Sequence, residues 1–478
     1  MGDRRGGTLA ICLAAAFTTL LDQSSLNTAV PALRSSLGAG PGTLQWIIAG
    51  YSLTFGLALI PGGRLGDAHG RKWLFVGGVS LFTAAGIVAG TATAAWVVAV
   101  ARLVQGIGAG TVNPQVLGMI QDLFSGRERT RALGAYATVG GLAGVIGPLV
   151  GGTLIGALGT EHGWRFVLLL NLPFGLLTVP LAVKWLPATR PARAQRASLD
   201  LPGLALLAAA TLCVLLPVVL PDGPGPPPLS WLIAVPGLVG ALLAWEGRYA
   251  RRGHTPILLP ALVRSRGFAL GTLVAMFQFG ASLSASLALT LFLQDGLGWT
   301  ALHAALTLLP SALGFAVASS LSWRVVSRFG RISVVWALIG SLVAIAATVV
   351  VVLRVPAAQL GVALTVTQLA LGVTGGLIIS PNQALTLAHG PARSAGLASA
   401  FLQLAQRISA TVTMAAVSGV VLGVTAGSAR LPVAHGLIIC GAMLVVATAL
   451  AAADCRTPPA GSPRPAAPAA VDKAVIHT

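Results

Sequence analysis

The chain falls into apolar runs of about 20 residues joined by short basic loops, and that division limits what it can fold into. A helix of about 20 residues crosses the roughly 30 Å hydrocarbon layer of a bilayer. In lipid every backbone N–H and C=O must find a partner within the protein, so only helices and closed barrels span it. A barrel would read as alternating apolar and polar segments of about ten residues. This chain does not alternate, so it implies an all-α, multi-pass membrane protein. Composition agrees: 9% of the 478 residues are charged and 55% are hydrophobic, whereas a soluble domain carries about a quarter charged residues.

The runs predict fourteen spans, at about 8–33, 45–66, 72–93, 95–121, 131–158, 164–186, 201–220, 229–248, 267–294, 302–326, 332–353, 357–381, 395–424 and 431–453. The run after Arg4 and Arg5 is too long for a signal-peptide core, so an uncleaved first helix is expected. With the N-terminus inside, the predicted inner loops collect the basic clusters at 64–72, 127–131, 184–196, 248–266 and 324–331, and Arg393. The predicted outer side keeps Arg34, Arg165, Arg354 and Arg430. This asymmetry places both termini in the cytoplasm of a plasma-membrane protein. It also accounts for the net charge of +18 without nucleic acid as a partner. The four cysteines form no CxxC pair, and three lie in apolar spans, so neither a disulfide framework nor a metal site is expected.

A weak repeat organises the chain. Arg324, then Arg328-Phe329-Gly330-Arg331, echoes Arg64, then Gly70-Arg71, about 260 residues earlier. The second copy lacks the aspartate; Ser327 stands near its place. Two parallel six-helix halves with two extra helices between them fit that offset. The expected units are an N-terminal half at 1–186, a linker with helices 7 and 8 at 187–265, a C-terminal half at 266–453, and a disordered Pro- and Ala-rich cytoplasmic tail at 454–478.

Acidic residues are scarce, and most lie at predicted membrane surfaces: Asp67, Asp122, Glu128, Glu161, Asp200, Asp222, Glu246 and Asp295. Asp22 instead falls near the middle of the first span, about 20 Å along it from Leu9. A carboxylate there is costly, so it faces the bundle interior or a watery cavity. Thr18, Thr19 and Ser25 share its face. Such a group suits proton uptake and release, or it ties the first span to a neighbour. Arg102 lies about 10 Å into the fourth span, at a similar depth, and could pair with Asp22. That pair could move a proton or simply be structural. The loop Gly63-Arg64-Leu65-Gly66-Asp67-Ala68-His69-Gly70-Arg71-Lys72 turns sharply between two spans. Gly63 and Gly70 permit close approach and unusual backbone angles, Asp67 can pair with a helix end, and Arg71 and Lys72 hold the loop inside. The fifth span carries Gly147-Pro148-Leu149-Val150-Gly151-Gly152, small residues for close packing beside a proline that frees a carbonyl. Gln403, Gln406 and Arg407 place a second buried cation in the thirteenth span, on a cavity wall or in a structural role.

Together these pieces resemble the major facilitator superfamily, and within it the fourteen-helix drug:proton antiporter family of the EmrB/QacA type. Leu21-Asp22-Gln23-Ser24-Ser25-Leu26-Asn27-Thr28-Ala29-Val30-Pro31 is similar to that family's first-helix pattern, with Ser24 for threonine and Val30 for leucine. Gly63 to Lys72 resembles its loop motif, with Ala68 where arginine is common, and Arg102 to Gly106 its helix 4 motif. Gly147-Pro148-x-x-Gly151-Gly152 resembles the motif linked with antiport, with the leading glycine displaced to Gly144. Trp164-Arg165-Phe166 and Asn171-Leu172-Pro173-Phe174-Gly175 resemble its sixth helix. Leu293-Gln294, then Gly298, resembles the start of its second half.

The resemblance implies proton-driven export of amphipathic compounds such as drugs or antibiotics. Asp22 and Arg102 would couple protons; Thr18, Ser25, Gln403 and Arg407 would line the cavity; Gly63, Asp67, Gly70, Arg71 and Lys72 would form the switch loop. The expected partners are a small amphipathic or cationic molecule, protons and the bilayer, acting on a monomer with no cofactor beyond the proton gradient. A dedicated exporter of one metabolite or amino acid is the alternative on the same fold, and a non-transporting sensor a third reading. An enzyme is not expected: there is no nucleophile–base cluster and no G-x-x-x-x-G-K-[ST] phosphate loop.

Overall fold

A computed structural model describes residues 2–124, 126–187, 200–219, 230–254, 256–257, 262, 264–389, 395–422 and 430–455. The helices are α1 (Gly2–Leu37), α2 (Pro41–His69), α3 (Arg71–Thr91), α4 (Ala95–Leu123), α5 (Gly126–Leu169), α6 (Asn171–Trp185), α7 (Leu201–Val219), α8 (Ser230–Arg251), α9 (Arg266–Leu291), α10 (Ala301–Phe329), α11 (Ile332–Arg354), α12 (Ala357–Leu387), α13 (Ala395–Leu422) and α14 (Arg430–Asp454). A π turn, Phe292–Gly296, extends α9. The proline-rich loop at 221–228, Arg190, Arg193, Arg196, Arg393 and the tail beyond Cys455 lie outside the described residues.

Twelve stretches among the described residues are long and apolar enough to cross a membrane. This is a multi-pass, all-helical membrane fold. One stretch, Gly134–Trp185, has 52 residues, more than two crossings need. It breaks inside α5 at Gly159, whose φ of 76° interrupts the helix, and the rest of α5 runs on into α6. The apolar part of α7, Leu201–Pro217, is shorter than a full crossing. Among the described residues, length and composition therefore give twelve or thirteen membrane-capable helices against the fourteen expected: two spans fuse, and the described apolar part of α7 falls short of a crossing.

Helices α1 to α6 and α9 to α14 use the same pairing. α1 packs on α5 and α6, α2 on α4, and α3 on α4 and α6; correspondingly α9 packs on α13 and α14, α10 on α12, and α11 on α12 and α14. The two sets meet through α2 with α13, α5 with α10, and α1 with α9. α7 and α8 pack on each other, and α7 leans on α2 and α13 along one seam. Asp200 caps α7 by accepting from Gly203 N at 3.1 Å, and it also accepts from Trp245 Nε1 of α8 at 2.7 Å. Asp200 and Glu246, expected at a surface, are buried here.

The core is uneven along the helices. At the C-terminal end of α1, one apolar cluster joins both sets through Val30, Leu33, Ile155, Leu287, Leu291 and Leu422. Toward the opposite end, clusters around Ile11, Phe75 and Val116 and around Leu262, Phe268 and Ala398 do not cross between the sets, while a smaller one, Ile60 with Leu404, joins α2 to α13. The outward faces are apolar and exposed, including Trp73, Trp96, Trp185, Trp323 and Val362. Such faces suit lipid, with tryptophans near the helix ends.

Candidate functional site

The structure brings Asp22 and Arg102 together. Arg102 Nη1 lies 2.5 Å from Asp22 Oδ2, and both side chains are 1% exposed. The other carboxylate oxygen accepts from Asn171 Nδ2 of α6 at 2.6 Å and from Gln105 Nε2 of α4 at 3.3 Å. Gln105 sits one turn from Arg102 and also accepts from Arg102 Nη1, at 2.8 Å. The guanidinium lies 4.3 Å from the centroid of the Tyr51 ring of α2. One carboxylate thus ties α1 to α4 and α6, and every bond to it comes from a donor, an arrangement that fits an ion. Asn171 and Gln105 were not singled out from the sequence as site residues. Asn171 opens the Asn-x-Pro-x-Gly stretch, and Gln105 is three residues after Arg102, so both signals were present.

The face of α1 that bears Asp22 is packed shut. Thr18 meets Phe174, Gly175 and Thr178 of α6 around a void of about 10 Å³, and Ser25 is wholly buried with its hydroxyl bonded to Asp22 O at 3.2 Å. The opposite face, bearing Ser24, Asn27 and Thr28, borders a cavity of about 260 Å³ between α1, α5, α9, α10 and α12. Thr18, Ser25, Gln403 and Arg407, expected on the cavity wall, do not line it. The physical reason for the first two is helical phase: they share Asp22's stripe, which turns toward α4 and α6. The cavity's most regular polar feature is a stripe on α9 and its π turn, Gln278, Ser282, Ser286, Thr290 and Gln294. These residues recur every four positions and so share one face. No charged side chain is among its lining residues.

Arg407 is buried between the two helix sets. Its Nη1 donates to Gln23 Oε1 of α1 at 2.7 Å, and its guanidinium lies 4.2 Å from the Phe55 ring centroid and 5.5 Å from that of Phe279. Gln403, one turn earlier on α13, is half-buried.

The two loop motifs are built alike at their turning points. Gly70 takes φ 95° between α2 and α3, and Gly330 takes φ 56° between α10 and α11, angles that glycine adopts without strain. Arg71 then reaches Asp67 at 2.7 Å and Asp122, near the end of α4, at 2.8 Å. Lys72 stays at the surface, 5.7 Å from the Trp73 ring centroid. In the second copy Arg331 pairs with Asp454 at the end of α14. The aspartate missing from that loop is thus supplied by a distant helix. Gly63 approaches Pro114, while its neighbour Gly62 offers its carbonyl to Gln115 Nε2 at 2.7 Å, which holds α2 against α4.

In α5 a Cβ on Gly147 would lie 3.0 Å from Ser25 N and closer still to Ser24, and one on Gly151 would lie 3.1 Å from Ser25 O. One on Gly152 would lie 2.9 Å from Leu302 Cα, in α10 of the other set. Pro148 faces the cavity. These small residues therefore permit two close helix contacts, one of them across the seam.

Two six-helix sets with the same pairing, enclosing a polar cavity, make the fold of a membrane transporter. The family model of the Major Facilitator Superfamily matches residues 12–414, and the chain belongs to that family. It is a transporter, not an enzyme. It is 34% identical over 445 residues to the "Probable actinorhodin transporter" of Streptomyces coelicolor, covering 91% of this chain and 75% of that one. It is 32% identical over 432 residues to the puromycin resistance protein pur8 of Streptomyces alboniger, covering 88% and 83%. Its fold matches the crystal structure of a bacterial homolog of the human lysosomal transporter Spinster, in an inward-facing and unoccupied conformation, with a TM-score of 0.65 at 15% identity over 95% of this chain and 97% of that one.

Proposed function

We propose that this chain is a proton-coupled exporter of small amphipathic compounds, drugs or antibiotics among them, working by alternating access. The observation that carries the reading is the Asp22 network: a buried carboxylate held by Arg102, Asn171 and Gln105 on one face of α1, whose opposite face borders a polar cavity between two helix sets. A proton arriving at Asp22 competes with Arg102 for the same oxygen. Breaking that pair loosens α1 from α4 and α6, and α1 also borders the cavity. Proton binding and cavity shape are thereby linked through one helix. Relatives named for actinorhodin transport and puromycin resistance support the cargo class. The energy source is the proton gradient, with no cofactor, and the monomer is the working unit.

The same reading assigns fourteen crossings, with the end of α5 and α6 forming the sixth and α7 and α8 the seventh and eighth. Residues 1–186 and 266–453 are the moving halves, 187–265 carries the extra pair, and 454–478 is the cytoplasmic tail. Both termini face the cytoplasm. The end sealed by Val30, Leu33, Leu287 and Leu291 is then the outer one, which supports an inward-facing state. A narrower reading, export of one metabolite, draws on the regular polar stripe of α9, which suits one pattern of hydrogen bonds.

Asp22→Asn is the decisive variant. It keeps size and hydrogen-bonding capacity but cannot titrate. In proteoliposomes it should lose substrate movement driven by a pH gradient while keeping expression and downhill exchange. Full gradient-driven transport would make Asp22 structural and remove the basis for proton coupling. Topology has its own test. Cysteines at Gly225 and Ala194 are expected to react and stay silent, respectively, with an impermeant thiol reagent on intact cells; the reverse pattern overturns the fourteen-crossing arrangement.

A further inference from the structure

The transport reading leaves the charge of the cargo open, and Arg407 bears on it. Its guanidinium is more than nine-tenths buried, about 18 Å along α13 from Ala395. Among the described residues no carboxylate pairs with it. Asp22, the other buried charge of this region, already holds Arg102, Gln105 and Asn171. Of the five N–H donors a guanidinium carries, one hydrogen bond is made among the described residues, to the neutral amide of Gln23. The rings of Phe55 and Phe279 lie against it, and the phenols of Tyr51 and Tyr136 are near enough to act on its charge. A cation is thus kept among aromatic rings with one neutral, displaceable hydrogen-bond partner.

Its position is next to the cavity. Gln23 and Phe279 each adjoin in sequence a residue that lines it, Ser24 and Gln278. The cavity itself offers amides and hydroxyls but no acid. A cationic guest would therefore find no counter-ion there and would face Arg407 across a medium of low dielectric, where charges act strongly. An anionic guest would complete the arginine's hydrogen bonding.

We infer that the cargo bears a carboxylate or phenolate, and that Arg407 leaves Gln23 to receive that anion. This rests on the export reading and narrows it, against a cationic cargo. Because Gln23 lies on α1 and Arg407 on α13, the exchange of partners also releases one polar tie between the two halves when cargo binds.

Two dyes with the same xanthene core and opposite charge test it: carboxyfluorescein, an anion at neutral pH, and rhodamine 123, a cation. Binding is read by fluorescence anisotropy on the purified full chain, and export in proteoliposomes under a pH gradient. The wild type should bind and move carboxyfluorescein with a preference of about tenfold or more. Arg407→Gln should erase the preference, and Arg407→Lys, which keeps the charge, should retain part of it. Thermal unfolding of both variants checks that the fold survives. Equal or better handling of rhodamine 123 by the wild type overturns the anion inference while leaving export standing. So does an unchanged preference in a folded Arg407→Gln. If a folded wild type handles neither dye, both the inference and the export reading fall.

Discussion

Asp22 and Arg102 hold each other in a place where neither is stable alone. Removing one member of a buried pair strands the other charge, a loss of about 3–5 kcal/mol. Arg102→Gln and Asp22→Asn should therefore each lower the thermal unfolding midpoint in detergent. An asparagine at 22 can still accept from Arg102 and Asn171 but leaves the guanidinium charge uncompensated, and a glutamine at 102 does the same to the carboxylate. The double variant should recover much of the loss. Equal midpoints for Arg102→Gln and wild type would mean that water reaches the pair. The pair itself was legible in the sequence, because acids are scarce and depth follows from residue counting along two spans. Its closure by Asn171 was not: the two residues are 149 positions apart, and an amide in an apolar run fits many neighbours equally well. Asp454 was missed for a similar reason. It reads as the end of a span, and its pairing with Arg331 depends on α14 packing beside α11.

Among the helices, α5 shows how position separates one glycine from the next. A Cβ at Gly144 would meet nothing within 4 Å, because that residue faces the cavity, while Gly147 and Gly152 lie against other helices. Gly144→Ala is expected to leave folding and transport near wild type. Gly147→Val should push α5 off α1 and abolish transport, and Gly152→Val should do the same at α10. Overpacking of this kind typically costs about 1–3 kcal/mol. Transport by a well-inserted Gly147→Val at the wild-type rate would reduce the motif to an ordinary apolar stretch. The helices were largely legible, since each apolar run is long. The count was harder: Gly159 interrupts rather than separates two runs. The stripe on α9 was also present in the sequence at a spacing of four. It carries little signal alone, because small hydroxyls in membrane helices satisfy themselves on backbone carbonyls, as Thr290 does on Ser286 O at 2.9 Å. Only the cavity shows that this face has something to bind.

At the scale of the whole molecule, the larger of the apolar clusters that join both halves lies at one end, and the strength of that closure bears on access to the cavity. Two kinds of contact hold it. Arg34 of α1 and Asp295 of the π turn lie 3.6 Å apart, with side chains 36% and 33% exposed. A pair so accessible to water contributes about 0–1 kcal/mol, and breaking it should raise the open population by roughly fivefold at most. The apolar cluster is different. Leu33 and Leu291 are 0% and 1% exposed, and keeping one leucine buried stabilises the closed end by about 1.5–3 kcal/mol. The seal is thus mainly hydrophobic, with the ion pair fixing its register. A cysteine in place of Asn27, on the cavity wall, reports on opening when Cys455→Ser removes the exposed native thiol. On intact cells, labelling by an impermeant reagent should rise modestly with Arg34→Glu. It should return toward wild type when Arg34→Asp is combined with Asp295→Arg, and rise most with Leu291→Ala. If charge reversal opens the end more than loss of the leucine does, the closure is electrostatic and should then weaken with salt, as an exposed pair must.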